Sequence, residues 1–238
     1  MTPGIFITGT NTGAGKTVVA AALLRLAARH GVDAVGLKPV ASGAERSGPD
    51  GTLYNTDALE LQAAAPRTLD YALVNPFCFE QAVAPHLAAR AAGIEVTGDA
   101  LEQWYCRATR GAGFAIIEGA GGWRVPLHPT GFLSDLPERL GFGVVLVVGL
   151  TLGCLNHARL TAEAIIAGGR CPLLGWIGNE VDPHFACVED NLVSLAELLG
   201  TPPLARLRLA AGPRSVWGNP VLELPDEPRL LQSLGITR

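Results

Sequence analysis

The chain is 238 residues long and 48% apolar, with a formal net charge of −4 and its 18 lysines and arginines scattered rather than clustered. That length suits one sizeable α/β domain, expected to span residues 1–238, and the charge pattern leaves no footprint for nucleic acid or an anionic membrane. Five cysteines with no C-x-x-C spacing suggest neither a disulfide framework nor a zinc site.

Along the chain, short apolar runs alternate with amphipathic stretches, the pattern of a mostly parallel, doubly wound α/β sheet flanked by helices. The first residues lack a basic segment leading into a long apolar one, so no export signal is expected. Residues 5–8 read as a first strand, and residues 16–30, rich in Ala and Leu and stopped by Gly31, read as a helix. Residues 34–38 read as a second strand ended by Pro39, and residues 39–56 as a polar loop near the ligand. Helices are expected at 85–92 and 100–110, followed by a wholly apolar and therefore central strand at 114–117. Strands at 144–148 and 173–178 and helices at 156–167 and 188–199 complete the reading. The longest apolar run, 144–150, falls far short of the roughly 20 residues a membrane span needs, and a cytoplasmic location is expected. The proline-bearing tail after Gly212 shows no period and receives no assignment.

Only two cationic residues are lysines, Lys16 and Lys38. A chain that uses arginine wherever a generic charge suffices keeps lysine where a compact ammonium is needed. Lys16 lies in Gly9-Thr10-Asn11-Thr12-Gly13-Ala14-Gly15-Lys16-Thr17, between the first strand and the first helix. The strict phosphate-loop pattern G-x-x-x-x-G-K-[ST] asks for glycine at position 10; here Gly9 stands one residue early, while Gly15-Lys16-Thr17 is intact. Backbone N–H groups around Gly13, Ala14 and Gly15 would cradle a triphosphate, with Lys16 reaching its β- and γ-phosphates and the Thr17 hydroxyl ligating Mg²⁺. An ordinary glycine turn explains the glycines but not a lysine and threonine opening the helix. Lys38 closes the second strand, on the side of a parallel sheet where ligands bind. Two carboxylates compete to complete the metal site. Glu118 follows the apolar strand and precedes Gly119-Ala120-Gly121-Gly122; Asp57, in Asp57-Ala58-Leu59-Glu60, equally fits a helix N-cap.

Further blocks accompany these: KPVASG at 38–43, NTDAL at 55–59, VNP at 74–76, APH at 84–86, EGAGGW at 118–123, LGCLNHA at 152–158 and GWIGN at 175–179. Together, in this order, they resemble the dethiobiotin synthetase family. The resemblance implies a fold of the P-loop NTPase type and an ATP-dependent ring closure. One amine of 7,8-diaminopelargonate captures CO₂ as a carbamate, the carbamate attacks the γ-phosphate, and the second amine displaces phosphate from the mixed anhydride. It also implies that Thr17, Asp57 and Glu118 hold Mg²⁺, that Lys16 and Lys38 are catalytic, and that Thr12 and Ser42 lie near the diamine and the carbamate. Glu118 and Asn179 would face the nucleotide, Asn179 at the adenine edge, and Gly121 would approach the substrate. Gly153, Cys154, Leu155 and Asn156 of one subunit would grip the substrate's carboxylate tail across a homodimer interface. A catalytic Cys154–His157 pair is rejected, since the two stand three apart at a helix entry. The chain departs from the family at Gly13, where many relatives carry an acid. It departs again at Leu207-Arg208-Leu209, where they carry proline after an apolar residue, which leaves base and ribose contacts and nucleotide preference open. Two rivals are weighed: an amide-forming synthetase of the cobyrinate type, normally joined to a glutaminase domain too large for this length, and a partitioning-type nucleotide switch. The switch would carry an extra lysine at position 10 or 11, where Thr10 and Asn11 stand.

Overall fold

The computed structural model describes residues 1–47, 51–208, 221–223 and 226–237, with side chains left out at 221–223. The chain opens with β1 (Gly4–Gly9), α1 (Lys16–Arg29), β2 (Ala34–Leu37), β3 (Val40–Ser42), β4 (Glu45–Ser47) and β5 (Thr52–Tyr54). It continues through α2 (Thr56–Ala64), α3 (Tyr71–Val74), β6 (Phe77–Phe79), α4 (Pro85–Ala91), α5 (Gly98–Ala108) and β7 (Phe114–Glu118). Next come β8 (Pro126–His128), β9 (Gly131–Phe132), α6 (Asp135–Leu140), β10 (Gly143–Leu150) and α7 (Cys154–Gly168). β11 (Leu173–Glu180), α8 (Val188–Leu199), β12 (Ala205–Arg208), β13 (Val221–Glu223) and α9 (Glu227–Ser233) follow.

Among the described residues the main sheet runs β13-β12-β11-β10-β1-β7-β2, parallel throughout except for the antiparallel edge pair β12–β13. Side chains alternate across a strand, so Ile5 and Ile7 of β1 pack under α1, α2 and α9 while Phe6 joins the opposite layer with α4, α5 and α6. Over β10 and β11 that second layer is continued by α7 and α8. Helices thus cover both faces; from β1 the chain runs to β2 at one edge, and after β7 it crosses β1 to β10 and proceeds to the other edge. Ligands bind outside the carboxyl ends of the strands at such a reversal.

The expected strands and helices are present with shifted ends: α5 begins at Gly98 rather than 100, and α7 at Cys154 rather than 156. The 114–117 strand is interior but not central, since β7 lies next to the edge strand β2. The polar stretch 39–56 is not a plain loop. β3 pairs in parallel with β6, and β4 and β5 form a hairpin. These strands of three residues each are too short to show a period. The tail after Gly212 lies partly outside the described residues; within it β13 adds the sheet edge, and α9 buries Leu230 and Leu231, with Leu234 just after it, against the α1 layer.

α2 reaches the sheet because β2 carries Gly36. A Cβ there would stand 2.6 Å from Leu24 Cδ1 and 2.9 Å from the Leu61 carbonyl oxygen. Gly36→Ala is expected to destabilise the fold by roughly 1–3 kcal/mol through this overpacking, as measured by urea denaturation.

Candidate active site

β1 delivers the chain into the glycine loop and α1 receives it, so Lys16 and Thr17 open a 14-residue helix at the carboxyl edge of the sheet. The loop folds back tightly: a Cβ at Gly9 would lie 3.1 Å from Lys16 Cγ and 3.2 Å from Ala14 Cβ. Gly15, at φ 87°, precedes the helix in the left-handed region, and a Cβ on it would strike the Asn179 side chain. Asn179, near the end of β11, donates from Nδ2 to the Ala14 carbonyl at 2.9 Å, tying the loop to a strand two places over from β1. With no acidic residue in its first turn and no side-chain cap, α1 presents its N-terminal amides to an anion. Nothing stands within 4 Å of a Cβ placed on Gly13, so the space beside this turn of the loop is open.

Both lysines are buried at this edge, Lys16 at 6% and Lys38 at 4% exposure. Lys16 donates to the Asn11 carbonyl at 3.0 Å; burial first, and then the nearby Lys38 charge, push its ammonium down to about 8. Lys38 directly follows β2 and donates to Glu118 Oε1 at 2.5 Å and to Asp57 Oδ2 at 3.0 Å. Burial opposes the charge on Lys38, but Glu118 and Asp57 outweigh it and hold its pKa above the ordinary value. Burial likewise opposes ionisation of Asp57, yet Lys38 leads the groups that hold that carboxyl below the usual range. The Thr17 hydroxyl donates to Glu118 Oε1 at 2.9 Å. Glu118 Oε2 is buried without a hydrogen-bond partner. Thr17, Asp57 and Glu118 therefore gather hard oxygen donors, one of them unspent, a set suited to a small divalent cation.

The structure brings Lys16, Thr17, Lys38, Asp57 and Glu118 into one cluster. It also sets the two glycine loops face to face, since a Cβ on Gly121 would lie 3.8 Å from Thr12 Oγ1. Ser42 ends β3, four residues beyond Lys38 and partly exposed. The 153–156 segment opens α7 on the surface: Leu152 is 94% exposed, whereas Cys154 is buried and its N–H is already taken by the Thr151 carbonyl. Burial also pushes the Cys154 thiol up, and His157 is exposed, in line with rejecting a catalytic pair. Leu207 is fully buried in the α1 layer, and Leu209 lies outside the described residues.

Asp57 is not a helix cap. Asn55 caps α2, its side chain accepting from Ala58 N at 3.3 Å, and this frees the Asp57 carboxylate in the first turn to face Lys38. Spacing alone missed Asn75, whose Nδ2 donates to the Lys38 carbonyl at 2.6 Å. In the sequence it appears only within the VNP block at 74–76, which by itself gives it no role.

Removing Lys38 strands a wholly buried carboxylate. Lys38→Ala is expected to cost about 3–5 kcal/mol in urea denaturation, and adding Glu118→Gln to recover a good part of it. A single variant as stable as the parent would contradict the buried pair.

A family profile described as an AAA domain matches residues 3–210. The solved structure of a ParA family ATPase from Chlorobium tepidum superposes with TM-score 0.53 over 98% of this chain and 89% of that one, at 14% identity. Septum site-determining protein MinD of Pyrococcus horikoshii, complexed with Mg-ADP, does so with TM-score 0.51 over 87% and 81%, at 19% identity. At such identities the likeness speaks for the P-loop NTPase fold alone. The ATP-dependent dethiobiotin synthetase BioD of Chromohalobacter salexigens is 52% identical over 216 residues, 87% of this chain and 90% of that protein. Its counterpart in Pseudomonas paraeruginosa is 50% identical over 220 residues, 90% of this chain and 94% of that one. With half its residues shared along nearly its whole length, the chain belongs to the family of ATP-dependent dethiobiotin synthetases.

Proposed function

We propose that residues 1–238 act as one synthetase domain that closes a ureido ring on 7,8-diaminopelargonate with CO₂ and ATP, giving dethiobiotin, ADP and phosphate. The observation that carries the mechanism is the burial of both lysines at one edge of the sheet, beside the phosphate loop. Carbamate and γ-phosphate are both anionic, and bringing them together calls for concentrated positive charge held in place beforehand. Lys16 lies along the phosphate loop; Lys38 approaches from the next strand end. One substrate amine attacks CO₂ and loses a proton to become the carbamate. A carbamate oxygen then attacks the γ-phosphorus and ADP departs, leaving a carbamic-phosphoric anhydride. The second amine attacks the anhydride carbonyl, its C–O bond to phosphate breaks, and the ring closes with loss of a proton.

Thr17, Asp57 and Glu118 would hold Mg²⁺, which supplies charge neutralisation on the triphosphate when bound. Thr12, facing Gly121 across the two loops, and Ser42 are assigned to the diamine and carbamate. The amides around Gly13, Ala14 and Gly15 are assigned to the phosphates, and Asn179 to the adenine edge, a role compatible with its tie to Ala14. Gly153, Leu155 and Asn156 are assigned to the carboxylate tail of a substrate bound mainly by the partner subunit; Cys154, its N–H spent on the Thr151 carbonyl, lines the turn without donating to that tail. Support for such a homodimer comes from the exposure of Leu152 and of Leu160 on α7. No helix among the described residues is long and apolar enough to cross a membrane, and the enzyme is assigned to the cytoplasm.

Purified protein incubated with diaminopelargonate, bicarbonate, Mg²⁺ and ATP is expected to yield, by mass spectrometry, a product heavier by one carbonyl less two hydrogens; unspent substrate would sink the assignment. Lys16→Arg keeps the charge but replaces a buried ammonium with a planar fork, and turnover is expected to fall by about a hundredfold or more. Near-normal activity of that variant would refute the need for a compact ammonium. The dimer is checked by sedimentation at micromolar concentration, where a fully active monomer would exclude it.

A further inference from the structure

Lys38 and Asp57 meet from separate segments, 19 positions apart in sequence, and a third segment holds them in register. Lys38 is clasped at both of its backbone groups by residues 74 and 75. Its N–H donates to the Val74 carbonyl at 2.8 Å, and its carbonyl accepts from Asn75 Nδ2 at 2.6 Å. Asn75 is only 2% exposed, so its amide must be satisfied within the protein. Its Oδ1 accepts from the Tyr71 hydroxyl at 3.1 Å. The same hydroxyl accepts from the Asn55 N–H at 2.7 Å. Asn55 caps α2, the helix whose first turn carries Asp57, and Asp57 accepts from the Lys38 ammonium. The circuit closes on itself.

Each link has one assignable direction. Turning the Asn75 amide over would set its oxygen against the Lys38 carbonyl, two acceptors with no proton between them. Chains of donation in a low-dielectric interior reinforce one another, and a broken link leaves buried groups without partners. The Tyr71 ring is held separately, its centroid 4.7 Å from that of Tyr54. Its hydroxyl can therefore be removed without removing its packing.

We infer that Tyr71 and Asn75 are positioning residues of the reaction, which hold the Lys38 ammonium and the Asp57 carboxylate in register through this closed circuit of hydrogen bonds without touching the substrate. The inference rests on the ring-closure reading for what the register serves, and on the geometry alone for its existence.

The test compares Tyr71→Phe, Asn75→Ala and the double variant with the parent protein. Leu234→Ala, in the packing of α9 on α1, serves as a control for stability loss alone. Tyr71→Phe is expected to lower kcat about tenfold with KM for ATP within about twofold, since misplacing a catalytic group costs chemistry rather than binding. The double variant is expected to match Asn75→Ala within about threefold, because both cut one circuit. Leu234→Ala is expected to keep kcat. A second readout needs no turnover: with only two lysines in the chain, protein labelled at lysine Cε gives two side-chain NMR signals. Tyr71→Phe is expected to move the Lys38 signal and leave that of Lys16 in place. An unmoved Lys38 signal, a kcat within twofold of the parent, or losses that multiply in the double variant would each overturn the inference. Should Asn75→Ala fail to fold, Tyr71→Phe decides by both readouts. Failure of the parent protein to form the ring would defeat the functional reading instead, and the Lys38 signal would still judge the circuit.

Discussion

The ammonium of Lys38 and the carboxylate of Glu118 face each other at 2.5 Å with almost no access to solvent, and neither is tolerable there without the other. Taking two ions out of water costs more than a hydrophobic pair of the same size would, so the pair does little for stability as such. What it provides is a fixed charge at the carboxyl end of two neighbouring strands. β2 ends just before Lys38 and β7 at Glu118, and their register is set by the ladder from Ala34 with Phe114 to Leu37 with Ile117. The sheet thereby fixes the position of the pair before any ligand arrives.

The rest of the site is arranged around that pair. β1 lies on the other side of β7 and launches the phosphate loop, so Thr17 reaches Glu118 from the start of α1. Asp57 comes from a helix pressed onto β2 at Gly36, where a side chain would not fit. Two buried cations and two carboxylates offset one another closely enough to be folded without a ligand, while Glu118 Oε2 remains unspent. The cluster can thus be prepared for anions without depending on them for its folding.

Much of this was readable in the sequence. The glycine loop with its lysine and threonine, the apolar run ending at Glu118 and the scarcity of lysine all pointed to residues that the fold gathers in one cluster, because each depends on local chain chemistry. Spacing could not decide between cap and ligand for Asp57. That choice rests on Asn55, two residues earlier, which fills the capping role and releases the carboxylate. The short strands between Pro39 and Thr56 were also hidden. Three residues carry no period; β3 finds its partner only at Phe77–Phe79, while β4 and β5 pair with each other. Asn75 escaped for a similar reason, since its partner is a backbone carbonyl that has no signature in residue type. Strand order stayed closed as well, for it is settled by contacts between apolar runs that resemble one another.

The burial of both lysines also shapes how the molecule meets chemical reagents. Its outer positive charge is carried by guanidinium groups, which do not acylate under conditions that modify amines. Apart from a terminal amine, the folded surface offers nothing for an amine-directed label or linker to grip. The two side chains that would react stand behind the phosphate loop and within an ion pair. Slow acylation of the native protein would therefore report on opening of the active site itself, with almost no background from elsewhere on the chain.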